Sequence, residues 1–176
     1  LTPVKGHNVV FTTLWDNFPS VNTIPLQGKA NRIYLMMAGS TNAMQSQIEN
    51  GVVRVAYTDG SADSLLLINP ESWIPIEQDF YDDGLAFRLK AKRPYRLHLK
   101  SGLVSRTLSA ELGRDAQDAA HSVDLNSTGI FGNVLEGGAA TLYDLPLDGQ
   151  KELKHLQVEA LSNDVVIGLL GVTLQR

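Results

Sequence analysis

Glu77, Asp79, Asp82 and Asp83 place four carboxylates within seven residues, among the rings of Trp73, Phe80 and Tyr81. Paired carboxyls can act as acid and base on a glycoside, but they must stand about 5–10 Å apart across a cleft. Neighbours on one loop rarely face each other in that way. A second use is a structural Ca²⁺, which takes carboxylate and carbonyl oxygens, although the spacing departs from an EF-hand. The simplest use is a polar turn at Asp82-Asp83-Gly84. Trp73 and Tyr81 could stack on the apolar faces of sugars while Glu77 and Asp79 hold hydroxyls. Equally, such rings close the end of a core, and Trp15 at a strand end carries the same two readings.

A second polar segment, residues 39–50, offers Asn42, Gln45 and Gln47, whose amides both donate and accept hydrogen bonds. Satisfying loop backbone is their commoner use. The candidate ligand-binding set is therefore Asn42, Gln45, Gln47, Trp73, Glu77, Asp79 and Tyr81. No catalytic or metal-binding residues are assigned. The chain has no phosphate-binding glycine loop, no nucleophile elbow and no His-Glu-x-x-His helix. His7, His98, His121 and His155 lie far apart in sequence, and each reads as a surface residue.

With 0 cysteines, disulfides, thiol nucleophiles and Cys-ligated zinc are excluded. A net charge of −4 gives no reason to expect a nucleic-acid partner, and Lys90, Lys92 and Arg93 read as a solvated strand end. No apolar run is long enough to predict membrane insertion. The 176 residues suit one domain with its own core, and a start at Leu1 suggests a segment of a larger polypeptide.

The elements that must position these residues are strands. Apolar residues recur with a period of two at Val53, Val55 and Tyr57, at Leu85, Phe87 and Leu89, and at Tyr95, Leu97 and Leu99. The last two sets predict half-buried strands with Arg88, Lys90, Arg96, His98 and Lys100 on the wet face. Asp59-Gly60 before Leu65–Ile68 predicts a hairpin with a type I′ turn. Residues 9–15 and 32–38 read as further strands, the second apolar on both faces and so centrally placed. Residues 155–160 and 165–174 predict a terminal hairpin, with a bulge near Gly168 and Gly171. Helical signal is poor; residues 109–121 could form one short helix. Residues 124–138 read as a loop. Many short strands predict an all-β fold, an antiparallel β-sandwich or jelly roll, over residues 1–176.

Ile24-Pro-Leu-Gln-Gly-Lys-Ala, Ile33-Tyr-Leu-Met-Met-Ala-Gly-Ser-Thr-Asn-Ala-Met-Gln-Ser, Tyr57-Thr-Asp-Gly, Asn69-Pro-Glu-Ser-Trp and the closing Asp144-Leu-Pro-Leu-Asp, Lys151-Glu-Leu-Lys and Val165-Val-Ile-Gly-Leu resemble a module of large secreted Bacteroidetes proteins. Those parent proteins are related to glycoside hydrolases. The resemblance implies a galactose-binding-like jelly roll and a secreted, periplasmic or cell-surface location, and it supplies no established catalytic residues to carry over. No cofactor is expected beyond the structural Ca²⁺ considered above. The expected function is a non-catalytic carbohydrate-binding accessory module. The alternative is a structural module that packs against a catalytic domain of the same chain, which would expose a large apolar patch when isolated.

Overall fold

A computed structural model describes residues 6, 8–79, 92–112 and 135–176. The described residues form ten strands: β1 (Val10–Thr13), β2 (Val21–Pro25), β3 (Arg32–Thr41), β4 (Glu49–Tyr57), β5 (Ala62–Ile68), β6 (Tyr95–His98), β7 (Val104–Ser105), β8 (Ala139–Pro146), β9 (Leu153–Ala160) and β10 (Val165–Gln175). A 3-10 turn (Ala43–Gln45) and one helical turn, α1 (Leu108–Glu111), are the only helical pieces among the described residues. The expected strand at Leu85–Leu89 and the rest of the expected helix lie outside them.

The strands form two antiparallel sheets, ordered β1-β10-β3-β8-β6-β7 and β2-β9-β4-β5, which pack face to face as a β-sandwich. The pairs β1–β10, β2–β9, β3–β8 and β4–β5 are nested one inside the next. As expected, β3 is central, between β10 and β8. The expected terminal hairpin is not formed. Residues 161–164 carry the chain from one sheet to the other, because β9 is already paired by β2 and β4, and β10 by β1 and β3.

Alternating side chains build the core. Ile33, Leu35, Met37, Tyr143, Val165, Ile167 and Leu169 of one sheet meet Val53, Val55, Tyr57, Leu67, Leu156, Val158 and Ala160 of the other. β10 changes parity at a bulge between Leu169 and Gly171, so Val172 and Leu174, shifted by one residue from the set Val165, Ile167 and Leu169, also reach the core. That bulge is why its sequence is apolar without clean alternation.

The β4–β5 hairpin forms, but not through a type I′ turn. Gly60 alone in residues 58–61 has positive φ, at 89°, and the four-residue loop closes with Tyr57 N–H donating to Ser61 O at 2.9 Å. β6 also faces opposite to expectation: Tyr95 is 48% exposed, whereas Arg96 and His98 are buried. His98 is held at 2.7 Å by both Ser101 Oγ and the Glu136 carbonyl, which ties two turns together. These polar side chains turn inward because buried carbonyls need donors there.

The open edge of β5 is blocked by its own chain. Ser72 Oγ accepts from Ile68 N–H at 2.9 Å and donates to Leu66 O at 2.7 Å, occupying groups that a neighbouring strand would use.

Two glycines let the layers meet. A Cβ on Gly39 would stand 1.9 Å from Val166 O and 2.9 Å from Trp73 Cζ2; one on Gly51 would stand 2.2 Å from Ile167 Cδ1. Gly39→Ala is expected to cost about 3 kcal/mol or more and to lower the thermal midpoint by roughly 6–12 °C, read by calorimetry. An unchanged midpoint would refute the close-packing account.

Burial, then the hydrogen bond to Asp63, pushes the Tyr57 phenol up to about 12, and burial also raises that of Tyr143. In the unfolded chain these phenols ionise near their usual value of about 10, so unfolding releases protons at high pH. Stability should therefore be intact below about pH 10 and fall between about 10 and 12. Urea denaturation across that range measures this; a flat profile would contradict it.

Candidate ligand-binding end of the sandwich

Four connections gather at one end. Thr13 pairs with Val166 and Thr41 with Val165, while Val21 pairs with Glu159 and Glu49 with Ile68. Residues 14–20, 42–48, 69–79 and 161–164 therefore share that end. Asn42 N–H donates to Asp164 O at 3.1 Å, and Gln47 N–H to Asn69 O at 2.7 Å, which links three of the connections directly. The two polar segments singled out in the sequence also adjoin through main chain, since Ile76 N–H donates to Gly39 O at 2.7 Å.

Their side chains are less available than the sequence suggested. Asn42 Oδ1 accepts from Met44 N–H at 2.9 Å and caps the 3-10 turn. Asn50 is fully buried; its amide accepts from Thr41 Oγ1 at 3.0 Å and donates to the carbonyls of Gln45 at 2.8 Å and Ile48 at 3.3 Å. Gln45 is half-buried, and Gln47 is exposed with φ of 60°. Loop backbone thus takes up the side chains of Asn42 and Asn50.

Trp73 is not on the rim. It is fully buried, packed over Gly39, and its Nε1 has no hydrogen-bond partner among the described residues. It plugs the end of the core, so of its two readings the structure adopts the second. Glu77 is exposed while Asp79 is buried, accepting from Ser109 N–H at 2.8 Å. The two carboxyls therefore occupy different environments and do not line one surface. Tyr81 lies outside the described residues, as do Asp82 and Asp83. Among the described residues, no group of three or more His, Asp or Glu gathers as metal ligands.

Asp79 has a clear electrostatic neighbour in Arg96, which is 1% exposed. The guanidinium donates to the carbonyls of Gln78, of Pro75 at 3.0 Å and of Ala139 at 2.8 Å. Burial pulls its pKa down to about 10, against the opposing field of Asp79, so it stays charged at neutral pH.

The exposed rings come from a segment outside the candidate set. Trp15 is 50% and Phe18 49% exposed. Their loop is braced: Thr13 N–H donates to Pro19 O at 3.1 Å, Phe18 N–H to Trp15 O at 3.3 Å, and Asn17 sits at φ of 69°. Phe18 also packs on Phe11, with ring centroids 5.3 Å apart. Met44 and Ile48 are exposed at the same end. Asp16, Glu49, Glu77 and Asp164 are exposed there, and residues 14–20, 42–48, 69–79 and 161–164 contain no lysine or arginine. Residues 99–103 and 135–138 reach the same end, through Leu135 N–H on Glu77 O and Leu99 N–H on Gly138 O, and add the exposed Lys100–Glu136 ion pair. The signal was present in the sequence as Trp-Asp-Asn-Phe-Pro-Ser, two aromatics set among turn formers.

No family model, curated protein or solved structure matches this chain. Among the described residues, no helix is long and apolar enough to cross a membrane.

Replacing Arg96 by Met should cost about 3–5 kcal/mol, because the Asp79 carboxylate and two carbonyls would remain buried without a cation. Adding Asp79→Asn should recover part of that loss. Urea denaturation of both single variants and the double variant reads the coupling, and strict additivity would argue against it.

Proposed function

We propose that the protein is a non-catalytic carbohydrate-binding accessory module of a polysaccharide-degrading protein, with its ligand face at the loop end. The observation that carries this reading is Trp15, half-exposed on a braced loop beside polar Asp16 and Asn17. A fixed aromatic ring offers a sugar an apolar stacking surface at little entropic cost. Exposed acids outnumber the exposed Lys100, itself paired with Glu136, and this favours neutral sugars over uronate or sulfated polymers. The nested strand order supports a jelly roll, and the resemblance supports a galactose-binding-like type in a secreted or envelope-bound Bacteroidetes protein.

Leu14, Phe18, Met44 and Ile48, all exposed at this end, favour a second reading. There the module packs against a catalytic domain of the same chain and binds no sugar of its own.

The two tryptophans separate these readings. Trp73 is buried and Trp15 exposed, so a glycan at the loop end should protect only Trp15 from acrylamide quenching. Trp15→Ala should weaken binding by about 2 kcal/mol, roughly thirty-fold in Kd, and Trp15→Phe should weaken it less. Calorimetric silence across neutral plant and host glycans would leave the packing reading in its place.

A further inference from the structure

Met44 is 86% exposed, the highest value among the exposed large hydrophobic residues, whereas Met37 is 0% exposed and Met36 half-buried beside Gly171. Its exposure is built in. Asn42 Oδ1 holds Met44 N–H at 2.9 Å, Asn42 O holds Gln45 N–H at 2.9 Å, and buried Asn50 anchors Gln45 and Ile48 from below. A folded loop thus keeps a flexible apolar side chain in water, at the end that also exposes Trp15, Phe18 and Ile48.

We propose that Met44 is a modification site, oxidised selectively by hydroperoxides, and that its sulfoxide weakens the apolar contact this end makes. The second part rests on the loop end being the ligand face. In the reaction, the thioether sulfur attacks one peroxide oxygen, forming an S–O bond as the O–O bond breaks. Sulfur is oxidised by two electrons, and the departing oxygen takes a proton to leave as water or an alcohol. The product replaces a soft apolar group with a polar one. Because the side chain contributes nothing to the core, the fold is retained. Methionine sulfoxide reductases can reverse the change.

The test treats the full 176-residue chain with hydrogen peroxide and maps oxidation by peptide mass spectrometry. Met44 sulfoxide should form at least about ten times faster than Met37 sulfoxide, with the thermal midpoint unchanged. Retention on a hydrophobic-interaction column should fall and return after reductase treatment, while Met44→Leu should be retained and resist peroxide. For a glycan that the untreated protein binds, affinity should fall at least about fivefold. Equal oxidation of Met37, or unfolding when only Met44 is modified, overturns the site. Unchanged retention of the Met44 sulfoxide overturns the weakened contact. Failure of the untreated protein to bind any glycan would defeat the carbohydrate reading alone, since mass mapping and retention do not depend on it.

Discussion

One buried cation organises the loop-bearing end of this molecule. Arg96 sits in the interior with its guanidinium on the carbonyls of Pro75, Gln78 and Ala139 and with Asp79 nearby. A buried guanidinium is costly unless its donors are met, and the irregular residues Pro75 and Gln78, with the first residue of β8, supply the acceptors. That arrangement fixes residues 75–79 against β6 and the start of β8. The same segment bridges two strands, since Ile76 N–H donates to Gly39 O at 2.7 Å and Ile76 O accepts from Ala139 N–H at 2.8 Å. Trp73, a few residues earlier, then closes the core over Gly39.

The nested ladders explain why the other connections collect where they do. Each pairing inside the nest places the ends of two chain segments together, so the turns after β1, β3, β5 and β9 emerge side by side. The edge of β5 is a poor place for a partner by comparison, because Ser72 occupies it. The loop end instead presents Trp15, Phe18, Met44 and Ile48 among mostly acidic neighbours.

Side chains that looked alike in sequence divide there by what the backbone requires. Asn42 and Asn50 serve the turn that carries Met44, and Asp79 serves Ser109 and Arg96. Trp15 and Trp73 both follow strands, yet one is a plug and the other a display. The difference is that Gly39 leaves a cleft under Trp73 between the sheets, while residues 14–20 cross outside the core from edge strand to edge strand.

Much of the strand pattern was legible in the chain, although residues 21–25 and 139–146, which form β2 and β8, carried no strand reading. Period-two runs at β4 and β9, the central position of apolar β3, the hairpin at Asp59-Gly60 and the bulge in β10 were all legible, because alternation and glycine placement are local properties of the chain. Which face of β6 is buried was not legible: Tyr-Arg-Leu-His-Leu alternates convincingly the wrong way, and only distant carbonyls make Arg96 and His98 the inward residues. Nor could local pattern show that β9 and β10 belong to different sheets, since that follows from strands far off in sequence claiming their edges. For the candidate site, the loops were found but their working side chains were not. Exposure of an aromatic or amide depends on what packs beneath it, and it takes the packed sheets to put Trp73 inside and Trp15 outside.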